Sequence, residues 1–258
     1  MRGALCAPAA FLCLMLFLPG ALPGGEGPPL PCNPGSFIVA IDAGHSPDSP
    51  GATSARGVPE YEFNARLTRI IIGRLQAHGF TGAFIVSGGG RALSPAERAG
   101  AANRAGAALL ISVHHDSVQP AYLSEWSYGG RKLSYCDRFR GYSLFVSGLP
   151  EGCGRALLFA RLVAERLAAA GLGPSHYHEE PIAGEARDVI DPEKGIYRDD
   201  SLALLRNARM PAVLMEAGVI VNRGEEAMLE TAAYREKIAG AVVSAVEEYC
   251  SASQKSEK

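Results

Sequence analysis

The sequence predicts an α/β fold: a single domain with a doubly wound, mostly parallel sheet and helices on both faces. Short apolar runs alternate with stretches of helical period, the pattern of strand–helix–strand units. No internal repeat or low-complexity linker breaks the alternation. The chain has 258 residues, 47% hydrophobic and 20% charged, which is enough apolar material for one sizeable core.

The elements follow in order. Met1 and Arg2 precede an almost wholly apolar run from Ala4 to Leu18, then small residues and prolines up to Glu26. A short positive start, an apolar centre and a small-residue exit describe a secretory signal, assigned to residues 1–25. Residues 26–35 are expected to form a flexible leader, 36–250 the folded domain and 251–258 a polar tail. Ser36–Asp42 is a short apolar run, as expected of a buried parallel strand. Phe63, Leu67, Ile70, Ile71 and Leu75 recur at helical spacing, so Glu60 to Ala77 is predicted as an amphipathic helix. "GAFIVS" is the second strand and "SGGGR" (Ser87–Arg91) a turn; without a following Lys-Ser/Thr it is no phosphate-binding loop. Ser94-Pro95-Ala96-Glu97 is a capping box with proline at the first helical position, opening a helix to about Ala105. Ala108–Val113 is the third strand, and Asp116–Gly141 a loop-rich stretch holding the single Trp126. "YSLFVS" is the fourth strand, and Gly154 to Ala170 a helix stopped at Gly171. Pro174–Asp191 reads as irregular, with a short helix near Asp200–Ala208. "AVLME" is the fifth strand and Glu225 to about Tyr249 the last helix.

Charge and cysteines narrow the function classes. Twenty-five basic residues against 27 acidic ones give a net charge of −2, which excludes a generally basic nucleic-acid binder and a polyacidic tail protein. Beyond the N-terminus no apolar run reaches the roughly 18 residues of a membrane span. An exported protein, periplasmic or secreted, with no transmembrane segment after signal removal is the expectation. Of six cysteines, Cys6 and Cys13 fall in the signal. The other four suggest two disulfides, expected as Cys136–Cys153 and Cys32–Cys250, the latter tying the ends of the domain. With no cysteine left over, Cys153 is not favoured as a nucleophile.

Polar groups at the strand ends carry the functional argument. His45 follows the first strand, His114 ends the third and Glu216 ends the fifth. Sites in open α/β sheets form outside the carboxyl ends of strands, so the three can converge. Glu60, opening the first helix, is a fourth candidate at the same edge. A lone histidine at a strand end is more often surface or core than a ligand, and Glu60 could merely favour the helix dipole. Glu216 is harder to dismiss, because a carboxylate after four apolar residues is costly to bury unless paired or ligated. Together, two imidazoles and a carboxylate suit a catalytic zinc site, with Glu216 handling protons.

The segments "IDAGH", "ARGVPEYEFN", "ISVHHDS" and "VLMEAGVIVN" resemble, in order, those of the zinc-dependent N-acetylmuramoyl-L-alanine amidases of bacterial cell-wall turnover (type 3 catalytic domain). The resemblance runs from about Phe37 to Tyr249, and "ERAGAANRAGAALLISVHHDS" extends it through Arg98 and Asn103. It implies one zinc ion held by His45, Glu60 and His114, with Glu216 as the catalytic glutamate. Glu62 competes with Glu60, but two helix positions two apart do not share a face. His115, pointing away from its neighbour in a regular strand, is expected at the rim or behind the ligands. Asn64, Arg98, His115, His176, His178 and Arg187 are expected substrate contacts, with Asp188 near them. Arg131, Lys132, Arg138 and Arg140 are candidates to meet carboxylates of a peptide stem.

The expected reaction is hydrolysis of the amide between N-acetylmuramic acid and L-alanine in peptidoglycan or its fragments, in wall turnover or daughter-cell separation. A protein activator is left open, with the Asp116–Gly141 segment the place for an inserted plug. No separate wall-binding module is visible. Serine catalysis is disfavoured because there is no G-x-S-x-G elbow. Two alternatives remain: a zinc peptidase of the same fold acting on another amide, and a catalytically silent peptidoglycan-binding module.

Overall fold

The computed structural model describes residues 32–86, 92–149, 153–182 and 186–253, with Cys153 described in its backbone alone. The expected signal, most of the leader, the "SGGGR" turn and the last five residues lie outside that set. In chain order the described residues form β1 (Val39–Ala43), α1 (Glu60–Ala77), β2 (Phe84–Ile85), α2 (Pro95–Arg104), β3 (Leu109–Asp116), β4 (Ser124–Tyr128), β5 (Arg131–Tyr135), β6 (Ser143–Val146), α3 (Cys153–Ala169), β7 (Asp188–Asp191), β8 (Ile196–Arg198), α4 (Ala203–Asn207), β9 (Ala212–Val219), α5 (Arg223–Leu229) and α6 (Ala232–Ser253).

Seven strands make one mixed sheet in the order β2-β1-β3-β9-β6-β8-β7. The half from β2 to β9 is parallel. β6 then runs antiparallel to β9, β8 follows β6 in parallel, and β7 turns back along β8. β1 and most of β3 and β9 are buried on both faces, which is why they read as unbroken apolar runs. On one face Ile41, Val113 and Met215 pack with Phe63, Leu67 and Ile71 of α1, Phe159 of α3 and Val242 of α6. On the other, Ala40, Leu110 and Leu214 pack with Ala99 and Ala102 of α2 and Leu204 of α4.

The expected capping box is present: Ser94 Oγ accepts from the Glu97 N–H, and the Glu97 carboxylate accepts from the Ser94 N–H. α1 has the predicted bounds, with Glu60 and Glu62 in its first turn and Gly79 (φ 89°) past its end. The stretch expected to be irregular, Pro174–Asp191, ends in strand β7 of the main sheet, and three further expectations change. The single last helix is two, because Thr231 breaks it: its Oγ1 donates to the Met228 carbonyl and accepts from the Tyr234 N–H. The Asp116–Gly141 stretch contains a hairpin, β4–β5, turned by Gly129-Gly130 with both φ positive. The second strand shortens to two residues, an edge strand paired on one side with β1.

Cys32 and Cys250 form a disulfide (Cα–Cα 5.3 Å) that joins the start of the described chain to the last helix. The expected Cys136–Cys153 bridge is corrected at its first half. Cys136 is a free, buried thiol in an apolar cluster with Val118, Phe139, Tyr177, Val219 and Val221. There it serves as a small hydrophobe. Replacing Cys32 and Cys250 with serine should lower the unfolding free energy by roughly 2–5 kcal/mol, given that the bridge closes almost the whole domain. Urea titration of the oxidised protein and the double variant measures this, and an unchanged midpoint would remove the bridge from the account of stability.

Candidate active site

Strand parity sets the site. In the parallel register His114 of β3 lies beside Glu216 of β9, so both side chains leave the sheet on the α2–α4 face. His115 leaves on the α1 face. β1 contributes Gly44 and His45 just beyond its end, where the Gly44 N–H still donates to the Val113 carbonyl (2.9 Å). His45 is the one non-glycine residue with positive φ (67°) among the described residues, a strained conformation of the kind that collects at functional sites.

Glu60, at the first position of α1, stands between the two imidazoles. Its Oε2 is 3.1 Å from His45 Nε2, and its Oε1 is 3.1 Å from His114 Nδ1. One ligand-type atom from each residue fits within a 4.8 Å span. Ligands at about 2.0–2.1 Å from a tetrahedral ion stand roughly 3.3 Å apart, so this donor set of two ring nitrogens and a carboxylate fits zinc chemistry. Glu60 is fixed from behind: Oε2 accepts the Ala52 N–H (3.1 Å) and Oε1 accepts Asn64 Nδ2 (3.0 Å). Glu62, exposed and ion-paired with Arg66, is not part of the cluster.

Two glycines make the close approach feasible. A Cβ on Gly44 would stand 2.3 Å from His114 Nε2, and one on Gly51 (φ 80°) would stand 2.4 Å from Glu60 Oε2. Any side chain there would displace a member of the cluster.

The two glutamates have opposite proton affinities. Burial raises the pKa of Glu60, but hydrogen bonds and charge from His114 and His45 outweigh it and hold the carboxyl far below the usual carboxylate range. Glu216 has no such partner. Burial, then the charges of Asp116 and Glu60, push its pKa well above 4.5, and its Oε2 is buried without a hydrogen-bond partner among the described residues.

The residues expected at the substrate divide. Asn64 is fully buried, and its amide links Glu60 and the Gly44 carbonyl on one side with His115 Nδ1 (2.8 Å) on the other. His115 is itself buried against Phe63, so both support the cluster from behind rather than face a ligand. Arg98 is buried, its Nη1 donating to Asp42 Oδ2 (2.7 Å), which also accepts from Ser112 Oγ. It nevertheless lines the two cavities flanking His45, of about 420 and 390 Å³. His176 is exposed and bonded to Glu179, and Arg187 pairs with Asp199 (2.8 Å); neither lines those cavities. His178 is buried, with Nε2 2.8 Å from Asp116 Oδ2. Asp116, which reinforces the raised pKa of Glu216, was not singled out from the sequence, although the alternation of β3 puts it two residues beyond His114. Asp42, which holds Arg98, is likewise not singled out by the sequence. Lys132 and Arg138 are paired with Glu125 and Glu180.

A doubly wound sheet presenting an imidazole–carboxylate cluster beside an isolated, proton-retaining carboxyl defines a hydrolase. A family model described as N-acetylmuramoyl-L-alanine amidase matches residues 39–248, and the chain belongs to that family of enzymes. It is 26% identical over 241 residues to the N-acetylmuramoyl-L-alanine amidase Rv3717 of Mycobacterium tuberculosis, covering 84% of this chain and 87% of that one. It is 22% identical to the amidase AmiC of Neisseria meningitidis over 84% of this chain but 53% of that longer protein. The crystal structure of the amidase Ami1 of Mycobacterium smegmatis superposes with a TM-score of 0.66 at 23% identity, covering 85% of this chain and 99% of that one.

Burial pushes the pKa of His115 down from 6.5 to about 3. Between those values the unfolded chain binds a proton that the folded protein refuses, so stability should fall as pH drops from about 6.5 toward 3. Replacing His115 with glutamine, which can keep a bond to Asn64, should flatten this slope. Denaturant midpoints at a series of pH values test it; parallel slopes for the two proteins would contradict the buried neutral imidazole.

Proposed function

We propose that the chain is an exported zinc amidase that cuts the bond between N-acetylmuramic acid and L-alanine in peptidoglycan during wall turnover or cell separation. The observation that carries the reading is the meeting of His45, Glu60 and His114, from β1, α1 and β3, within the span of one ion. Family membership supplies the amidase reaction and the peptidoglycan substrate. An N-terminal segment with the pattern of a secretory signal agrees with a substrate outside the membrane.

When bound, zinc would polarise the amide carbonyl and acidify water at the site to a pKa of roughly 7. His45, Glu60 and His114 would hold it, with Asn64 and Ala52 keeping the Glu60 carboxylate oriented. Glu216 takes the water proton at its carboxylate and delivers it to the departing amine of alanine. A carboxyl with an elevated proton affinity suits both halves of that transfer, because it retains the proton until the amine needs it. Asp116, held by His178, keeps negative charge near Glu216 and so sustains that affinity.

Glu216→Gln should retain stoichiometric zinc and lose about 10²–10⁴-fold in turnover, the usual contribution of a positioned acid–base. Metal analysis together with release of stem peptides from purified sacculi checks both halves. Full activity in the variant would remove Glu216 from the reaction, and chelation that left the wild type active would remove the metal.

Asn64→Ala leaves Glu60 and His115 each short of a partner. Zinc affinity, read by competition with a chromophoric chelator, should drop about 10–100-fold, the usual effect of losing a group that orients a ligand. Unaltered affinity would show that Glu60 is held adequately by Ala52 alone.

A further inference from the structure

The larger cavity beside His45, of about 420 Å³, has no role in holding the ion or moving the proton. One wall is a face of α1, where Tyr61, Ala65, Thr68 and Arg69 follow each other at i, i+4, i+7 and i+8. Arg98 closes the opposite side. Two buried polar atoms of this wall lack a hydrogen-bond partner: Thr68 Oγ1, on a residue 1% exposed, and Arg98 Nε, on a residue 6% exposed. Arg69 is exposed and makes no ion pair or hydrogen bond among the described residues. By contrast Arg98 is neutralised by Asp42, and the loop cations Lys132 and Arg138 by their glutamates. The acidic residue of the lining is Asp48, on the loop that follows His45.

Resting on the amidase reading, we propose that this cavity is a subsite in which Arg69 binds a carboxylate of the stem peptide. Geometry sets which carboxylate. Arg69 lies nine positions after Glu60, roughly 13 Å along the helix at 1.5 Å per residue. An extended peptide covers at most about 3.3–3.6 Å per residue, so the distance is about four extended residues, and the length of the arginine side chain brings acidic groups from about the second residue onward within range. The planar guanidinium suits bidentate capture of a carboxylate. The device distinguishes acidic stems from those whose carboxylates are amidated, and places part of the binding energy away from the reacting atoms.

The test uses the full, zinc-loaded protein and two probes: an L-alanine-initiated stem tripeptide with free carboxylates and its fully amidated counterpart. Calorimetry reads binding of the intact peptides, so it does not depend on turnover. The wild type should bind the free-carboxylate peptide at least fivefold more tightly than the amidated one. Arg69→Gln should abolish that preference, and Arg69→Lys should restore part of it. In parallel, R69Q should raise KM for muramoyl-tripeptide hydrolysis while leaving kcat within about twofold. Equal affinity of the wild type for the two peptides, or an R69Q variant that keeps the preference, overturns the subsite. Failure to release peptides from sacculi, with the Arg69-dependent preference intact, overturns the amidase reading and leaves the subsite standing.

Discussion

The arrangement depends on one buried carboxylate that cannot be left alone. Glu60 is almost entirely removed from water, and an isolated ionised carboxylate in that setting is too costly to persist. Five groups compensate it: two imidazoles, the Asn64 amide, the Ala52 N–H and, more distantly at 3.4 Å, the His115 N–H. Those groups come from β1 and its following loop, α1 and β3. The helix must therefore begin where it does, and the loop between β1 and α1 must fold back over the strand ends. Gly44 and Gly51 admit that return, and the left-handed backbone at His45 turns its ring toward the carboxylate.

The same dependence explains what a single sequence reveals. α1 was legible to its ends because its buried residues keep helical spacing and acidic residues crowd its first turn. The strands carrying His114 and Glu216 were legible because burial on both faces leaves no polar interruption until the site itself. The convergence of the ligands followed from a general property of such sheets, not from any one residue. Assigning Glu60 over Glu62 leaned on the resemblance, since both fall in the first helical turn and only tertiary packing puts one of them beneath the imidazoles.

What stayed hidden was set by tertiary contacts. The direction of β6 is not written in "YSLFVS": a strand buried on both faces reads alike whether its neighbour runs with it or against it. The β4–β5 hairpin did carry a local signal, two glycines between short runs, but its residues are mostly exposed and lack a clean alternation. Cysteine parity misled at Cys136, since an even count does not oblige every thiol to pair. Asn64, expected against a ligand, stands behind the cluster instead, whereas His115, expected at the rim or behind the ligands, is buried behind them. A polar residue on the inner face of a helix looks the same in sequence whether it meets a ligand or braces the residues that do.

Glu60 and Glu216 are chemically identical and stand at one edge of one sheet, yet the fold drives their proton affinities apart. Glu60 meets imidazoles and amide donors, so ionisation is favoured. Glu216 is desolvated and lies near two other carboxylates, so its proton affinity is raised. A carboxyl that always stayed ionised could accept a proton poorly and would bring excess negative charge to the centre. One with donors on both oxygens would surrender the proton before the leaving amine required it. A divergence of this kind between neighbouring titratable groups is how acid–base roles are divided within a site.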